Sequence, residues 1–275
     1  HPPFGHAGER VLDEMLRKRG VDEGFKHEVH GLRVVDMLTS YGSGLNLTYE
    51  VRDGIITHCG ERFERVVAPD RSRDLLQLES INDRCCYPAT LEGCLVRLVD
   101  RIAYLGRDLE DAIKAELIRK SDIPSEIVKN LGAENGKIIG RFVNDTIASS
   151  IGNDAIEMSE EVFTYMTMLK EFNYRHIYMH PEVDRKSRKA VSIIEILFSE
   201  LEKILVQSQR GGDGAMVAAL IREAPLLETF FHFIRNTNYR AETPTWRIIT
   251  DYIAGMTDLF AERTFMQIFL PASVI

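Results

Sequence analysis

Apolar residues recur at helical spacing along almost the whole chain. Leu32, Val35 and Leu38, for example, fall on one stripe, which is the repeat of an amphipathic helix. Proline and glycine residues separate such segments. The pattern predicts helices over 5–19, 27–40, from a cap at Asn46 to near residue 60, 89–120, 124–131, 137–151, 159–172, 184–207, 213–223, 225–236 and 244–264. No segment alternates apolar and polar residues with period two, so we predict an all-α protein.

The chain of 275 residues is long enough for one large domain or two small ones. Residues 1–175 are predicted to form the core, and residues 176–275 a helical region packed on it, because no flexible linker parts the two. The polar stretch 61–88 is predicted to be a loop that contains a short helix.

One helical segment, LEGCLVRLVDRIAYLGRDLEDAI at 91–113, carries polar residues in a regular row. Its apolar residues cover most of the helix circumference, which predicts a buried helix. Asp100, Tyr104 and Asp108 are spaced at i, i+4 and i+8, so they share one face. Two buried carboxylates need a metal ion, a ligand hydroxyl or an arginine to offset their desolvation. The alternative is a solvated stripe in which Arg101 and Arg107 pair with the acids.

The first helix begins with an imidazole close to a carboxylate. His6 and Glu9 are spaced at i, i+3, and a carboxylate that holds an imidazole suits a proton donor near neutral pH. His27 follows in FKHEVHGLR, close to Glu28 and His30. Each histidine taken singly is also compatible with a purely structural role in the protein interior.

Composition narrows the class of protein. Hydrophobic residues make up 44% of the chain and the net charge is -8. An acidic chain is not expected to have nucleic acid as its main partner. The four cysteines form no C-x-x-C pair, which favours reduced thiols. Since we find no membrane-spanning run and no signal peptide, we expect a soluble, cytoplasmic protein without membrane contact.

Several sequence blocks, in order, resemble one enzyme family. They are HPPFGHAGE at 1–9, FKHEVHGLR at 25–33, LTYEVRDGI at 47–55, LEGCLVRLVDRIAYLGRDLEDAI at 91–113 and DYIAGMTD at 251–258. The chain is similar along nearly its whole length to the deoxyguanosine triphosphate triphosphohydrolase branch of the HD superfamily. The resemblance implies an HD-domain helical bundle with a C-terminal helical extension, and residues 1–175 would be its catalytic core.

The resemblance also implies a reaction and roles for residues. The family splits a deoxynucleoside triphosphate (dNTP) into a deoxynucleoside and inorganic triphosphate, with a divalent metal (Mg, Mn or Fe). Asp100 matches a metal ligand, and Tyr104 and Asp108 match residues that contact the deoxyribose. His6 with Glu9 matches the dyad beside the scissile phosphate, and His27 a further histidine on the phosphate side. Basic side chains must surround the triphosphate, and the candidates are Arg33, Arg52 and Arg101, which the sequence does not rank.

The chain departs from the family pattern at its start. The family's first metal-binding histidine and its His-Asp pair lie upstream of the residues that match HPPFGH, so Asp100 is the only one of four metal ligands present. We therefore expect an N-terminally truncated fragment of a longer enzyme. The resemblance further implies a dNTP substrate, a dNTP activator at a second site and a homo-oligomer. Two alternatives stay open: a nucleotide-binding regulatory module without turnover, and an HD-type phosphodiesterase or nucleotidase.

Overall fold

The computed structural model describes residues 1–59, 63–73, 86–211 and 214–270, and these residues are predominantly helical. The prediction of an all-α protein is therefore confirmed. The helices are α1 Gly5–Arg17, α2 His27–Arg33, α3 Thr39–Gly42, α4 Tyr49–Thr57, α5 Leu91–Lys114, α6 Ser125–Leu131, α7 Asn135–Ser150, α8 Glu160–Asn173, α9 Pro181–Gly211, α10 Gly214–Glu223, α11 Leu227–Asn236, α12 Thr245–Ala254 and α13 Asp258–Phe269.

Two predicted helices are interrupted in the structure. The helix predicted over 244–264 is two helices, because the chain leaves α12 after Ala254 and Thr257 caps α13 by accepting the Phe260 N–H. The helix predicted over 27–40 keeps its α-helical form only to Arg33. A π-helical turn over Val34–Leu38 follows.

A short antiparallel pairing was not predicted. Strands β1 Val66–Val67 and β2 Ile156–Glu157 pair with Val66 opposite Glu157. Two residues are too few to show a period of two, so the sequence pattern gives no signal for such a strand. β1 lies in the stretch 61–88, where a loop with a short helix was predicted; residues 61–62 and 74–85 of that stretch lie outside the described residues.

The chain forms two compact units. The first unit comprises residues 1–46 and 186–275, and the second comprises residues 47–185. The assignment of catalytic core to residues 1–175 stays a prediction. In the first unit, α1 packs its apolar stripe into one core with α9, α11 and α12, including Leu12, Leu16, Phe198, Phe230 and Ile249.

In the second unit the core forms around the long helix α5. Leu98, Ile102, Leu105 and Leu109 recur at helical spacing and are at most 2% exposed. They share a hydrophobic cluster with residues of α6, α7 and α8, such as Phe142 of α7. Thr90 caps α5 by accepting the Gly93 N–H. The apolar stripe therefore fixes which face of α5 is buried and leaves the opposite face outward.

That opposite face corrects one expectation. Apolar residues were predicted to bury α5 on nearly all sides, but Leu95 is 42% exposed and Val96 is 45% exposed. Asp100 is exposed, whereas Tyr104 and Asp108 are half-buried. Leu98 and its helical repeats supply enough apolar surface to anchor α5 by one face, so the remaining apolar residues need not be covered.

The stretch before α1 is held in a tight conformation. Phe4 and Gly5 both have positive φ, at 64° and 59°, and the Phe4 N–H donates to Asp258. A Cβ on Gly8 would lie 1.9 Å from the Pro3 carbonyl oxygen. Only glycine therefore lets the prolines fold back onto α1, which fixes His6 and Glu9 at the start of the helix.

Within the described part of the chain, no helix combines the length and apolar character that crossing a membrane requires.

Candidate functional site

The carboxylate of Glu9 is the centre of a histidine cluster in the first unit. Glu9 lies on the buried face of α1 and is 5% exposed. Its Oε2 lies 3.4 Å from His6 Nδ1, as the i, i+3 spacing predicted. The His6 side chain is 79% exposed. Because Nδ1 is directed to the carboxylate, the outward Nε2 of His6 is the nitrogen that can exchange a proton with a ligand.

Glu9 also binds the start of α2. Its Oε1 accepts the backbone N–H of His27 at 3.2 Å and lies 3.0 Å from His27 Nδ1. The first N–H groups of a helix lack partners within the helix, and Lys26 provides no side-chain cap. Glu9 thus takes the place of a capping residue, and it holds the buried ring of His27 in one orientation.

These contacts settle the ionisation of Glu9. Burial raises the pKa of the Glu9 carboxyl, but the hydrogen bonds from His27 and His6 outweigh it and hold the pKa well below its usual range. Glu9 is therefore a carboxylate at neutral pH. This buried negative charge accepts from both imidazoles and so fixes the orientation of the two rings.

His1 completes the cluster. Its ring stacks on His27 with centroids 3.9 Å apart and meets the His6 ring edge-on at 4.5 Å. Donor atoms of His1, Glu9 and His27 lie within 4.8 Å of one another. Two imidazoles and a carboxylate are ligands that suit Zn, Mn or Fe, so this group is close enough to share a divalent ion.

On α5 of the second unit, the predicted row of polar residues forms a partly open face. Tyr178, in the π-helical turn after α8, donates its hydroxyl to Asp108. Burial raises the pKa of Tyr104; the positive charge of Arg101 opposes that effect, and the charges of Asp100 and Asp108 add to it. Tyr104 is therefore a neutral donor between two carboxylates, an arrangement that can bind hydroxyl groups.

Arg101 is buried beside that row and is not paired with Asp100. It is 6% exposed, its Nη1 donates to the Glu64 carbonyl at 3.3 Å, and its Nη2 lies 3.5 Å from the Glu64 carboxylate. Burial lowers its pKa, and Glu64 opposes that effect. The alternative prediction paired Arg101 and Arg107 with the acids of α5. Arg101 instead contacts Glu64, whereas Arg107 does pair with an acid of the same helix, Asp111.

Lys170 of α8 adds a second cation near Arg101. Its Nζ lies 4.2 Å from the centroid of Phe63, and the guanidinium of Arg101 lies 5.4 Å from the same ring. Burial lowers the pKa of Lys170, and the positive charge of Arg101 lowers it further. Two cations that contact one aromatic ring and repel each other are suited to an anionic ligand such as a phosphate.

The other two candidate arginines have different surroundings. Arg33 forms a two-pronged ion pair with buried Asp251, with Nη2 at 2.7 Å from Oδ2. Asp251 also accepts the Tyr239 hydroxyl at 2.9 Å. Arg33 therefore joins α2 to the DYIAGMTD segment, which is a structural role. Arg52 lies 5.8 Å from the Tyr49 ring, and its role in binding the triphosphate stays a prediction.

Sequence reasoning missed Tyr178, Lys170 and Glu64. Each lies far along the chain from the residues it contacts, so no local spacing brings them together. Tyr178 belongs to YRHIYMHPEV, a stretch of aromatic, basic and histidine residues before Pro181. That density of polar aromatic residues at a helix end was the one signal that could have identified it.

Comparisons with known proteins agree with the blocks quoted above. The model of the phosphohydrolase-associated domain matches residues 156–210 and 214–267. A deoxyguanosinetriphosphate triphosphohydrolase-like protein of Desulfatibacillum aliphaticivorans is 33% identical over 278 residues, which cover 100% of this chain and 69% of the relative. One of Caldanaerobacter subterraneus subsp. tengcongensis is 32% identical over 272 residues, with 99% and 65% covered.

A more distant relative of the same name, from Ralstonia pickettii, is 29% identical over 306 residues and covers 98% of this chain. The chain spans about two thirds of the length of the curated relatives it matches. Matches of this extent, together with the helical fold and the phosphohydrolase-associated domain, establish the relationship. The chain belongs to the deoxyguanosinetriphosphate triphosphohydrolase-like family of HD phosphohydrolases.

Proposed function

We propose that this protein hydrolyses a deoxynucleoside triphosphate to a deoxynucleoside and inorganic triphosphate. The observation that carries the proposal is the buried Glu9 carboxylate, which bonds the imidazoles of both His6 and His27. Such a pairing of carboxylate and imidazole suits protonation of a leaving oxygen. The names of the curated relatives point to the same reaction.

His6 is assigned as the proton donor to the departing 5′-oxygen of the nucleoside. Its ring is exposed, and its Nδ1 is oriented toward Glu9, so its Nε2 is the reacting atom. Glu9 contacts no substrate in this scheme and acts as a positioning residue. His27, whose ring Glu9 also orients, binds a phosphate oxygen. Water attacks the α-phosphorus, and positioning and charge neutralisation supply most of the rate.

Tyr104 and Asp108 are assigned to the deoxyribose. Asp108 would accept the 3′-hydroxyl, and Tyr178, which already bonds Asp108, fixes that carboxylate. The Tyr104 ring would pack where a ribose carries its 2′-hydroxyl, so steric exclusion would select deoxyribose. Arg101 and Lys170 are assigned to the triphosphate, because they place two positive charges about one aromatic ring.

A divalent metal is assigned to Asp100. Its carboxylate is exposed on α5 and offers the oxygen ligands that Mg, Mn and Fe accept. When bound, the metal would polarise the α-phosphate and lower the pKa of a water molecule. We propose Mg, Mn or Fe as the metal, a homo-oligomer and a cytoplasmic location.

The test is turnover of dGTP by the full-length protein and two variants. Asp100→Ala should abolish both metal binding, measured by calorimetry with Mn²⁺, and release of triphosphate. His6→Ala should keep metal binding and lose about two to four orders of magnitude in kcat, the usual scale for general acid catalysis. Loss of metal by His6→Ala would refute its role as proton donor. Binding of dGTP without any turnover by the unaltered protein would favour a regulatory module instead.

A further inference from the structure

A cysteine and a histidine that the proposed reaction does not use lie in contact at the end of α4. Cys59 Sγ is 3.1 Å from His58 Nε2. His58 Nδ1 lies 2.6 Å from the carbonyl oxygen of Ile55. A carbonyl can only accept, so Nδ1 carries the proton and Nε2 of the neutral ring is the acceptor. The thiol therefore donates toward a nitrogen that can take its proton.

The local fold explains why this pair forms. The last carbonyls of a helix lack partners within the helix, and a histidine at the C-terminus can bond one of them. His58 follows α4 directly and bonds the Ile55 carbonyl in this way. Nucleophilic cysteines have the same three parts: a thiol, a base that accepts its proton and a group that orients the base.

A second thiol lies close by. Nη1 of buried Arg97 donates to the carbonyl oxygens of Cys59 at 2.8 Å and of Cys86 at 3.0 Å. Because one nitrogen atom bonds both carbonyls, the two cysteine backbones approach each other, although 27 positions in sequence separate them. Both cysteines are partly exposed, so a small oxidant can reach them.

The pair also has an approach from solvent. His58 lines a mostly apolar groove of about 660 Å³ between α4 and α5, together with Val51, Ile55 and Val96. Cys94 differs in every respect: it is 0% exposed, and burial raises its pKa to about 11. A thiol in that setting is inert at neutral pH, so Cys94 serves as an internal reference.

We propose that Cys59 is a peroxide-reactive thiol, activated by His58, and that Cys86 closes a reversible disulfide with it. The Cys59 sulfur attacks one oxygen of hydrogen peroxide, the S–O bond forms, the O–O bond breaks, and the departing hydroxide takes the proton held by His58 to give water. The Cys86 sulfur then attacks the sulfenic sulfur. The S–S bond forms, and the S–O bond breaks as hydroxide leaves with the Cys86 proton as water.

This modification would affect the proposed nucleotide site, a consequence that rests on the proposed function. Cys59 contributes to the raised pKa of Tyr104, so the two groups are near enough to interact. Oxidation would change the surroundings of a residue assigned to the deoxyribose. The chemistry of the thiols does not depend on that assignment, so the experiment below can fail or succeed independently of hydrolysis.

The test is peptide mass spectrometry of the reduced protein after exposure to hydrogen peroxide at pH 7.5. The unaltered protein should form a Cys59–Cys86 disulfide that dithiothreitol reverses. Cys86→Ser should instead accumulate a Cys59 sulfenic acid that dimedone traps. Cys94 should react at least tenfold more slowly than Cys59 in the same sample, which needs no variant. Equal rates for Cys59 and Cys94, or a disulfide to another cysteine, would overturn the proposal.

The role of His58 needs a matched pair of variants. His58→Gln should slow peroxide oxidation of Cys59 at least tenfold, whereas His176→Gln, at an exposed position, should leave it unchanged. A thermal melt of both variants confirms that each is folded. If His58→Gln is folded and oxidises at the unaltered rate, the imidazole does not activate the thiol and the proposal is wrong.

Discussion

Replacement of Glu9 by glutamine tests the histidine cluster most sharply. The change keeps the size of the side chain and removes its charge. Glu9 accepts both the backbone N–H and the Nδ1 of His27, at 3.2 Å and 3.0 Å. A glutamine oxygen can still accept one of these bonds, but its amide group places a donor where an acceptor is needed.

The expected loss follows from these contacts. A hydrogen bond to a charged group contributes about 1.5–3 kcal/mol, and an unmet buried donor costs about 1–3 kcal/mol. Glu9→Gln should therefore destabilise the protein by about 2–4 kcal/mol, which at about 2–4 °C per kcal/mol lowers the melting temperature by roughly 5–15 °C. Since His6 and His27 lose their orientation, kcat for dGTP should fall by about 100-fold.

The lowered pKa of the Glu9 carboxyl should make the stability of the protein depend on pH. Its pKa is held below the value of about 4.3 that it has in the unfolded chain. A group with a depressed pKa in the folded state stabilises the protein above the unfolded pKa and loses that contribution as the pH falls further. The difference in melting temperature between Glu9→Gln and the unaltered protein should have its full size at pH 7 and should become smaller as the pH falls below ~4.3.

The control is Glu14→Gln, which alters an exposed glutamate on the same helix. It should leave the melting temperature and kcat unchanged. If Glu9→Gln behaves like this control in both assays, the reasoning about the cluster is wrong. If only stability falls, while kcat is kept, Glu9 caps α2 but does not position a catalytic group.

Three further predictions concern other buried polar groups. Burial lowers the pKa of His30 to about 4, whereas a histidine in the unfolded chain has a pKa of about 6.5. Between these two pH values the unfolded chain binds more protons than the folded protein, so the free energy of unfolding should fall by about 3 kcal/mol as the pH drops from 6.5 to 4. His30→Gln should flatten that slope in urea titrations at pH 7.5 and 5, and an unchanged slope would contradict the assignment. Asp251→Asn leaves the Arg33 charge without its partner and should cost about 3–5 kcal/mol in urea unfolding. The control Asp111→Asn breaks only an exposed ion pair with Arg107 and should cost less than about 1 kcal/mol; equal midpoints for the two variants would refute the role of Asp251. Tyr178→Phe removes the hydroxyl that bonds Asp108 and should raise the KM for dGTP by about tenfold, the equivalent of one hydrogen bond of ~1.4 kcal/mol. The control Tyr174→Phe, at a 57% exposed position, should leave KM unchanged. Identical KM values for the two variants would exclude a role of Tyr178 in fixing the Asp108 carboxylate.

The sequence predicted those parts of the fold that depend on local pattern. Helix α6 was predicted over 124–131 and runs from Ser125 to Leu131, because Pro124 and Gly132 mark its ends. The His6–Glu9 contact follows from helical spacing alone. The row of Asp100, Tyr104 and Asp108 on one face of α5 follows in the same way.

Features that depend on long-range packing could not be predicted. Glu9 binds α2 through His27, which lies 18 positions later in the sequence. The spacing of residues within one helix carries no information about a contact between two helices. The apolar content of α5 suggested burial on all sides, yet Leu95 and Val96 are exposed, because helix periodicity does not say how much surface the neighbouring helices cover. Arg33 could not be distinguished from a phosphate ligand until Asp251, which lies 218 positions away, was seen to bind it.

The proposed reaction cleaves a dNTP between the 5′-oxygen and the α-phosphorus. The most direct measurement is ³¹P NMR of the products formed by the full-length protein from dGTP with Mn²⁺. We expect inorganic triphosphate together with deoxyguanosine, in equal amounts. Release of orthophosphate or pyrophosphate, or of dGMP, would contradict it, because the proton donor and the sugar-binding residues would then serve a different reaction.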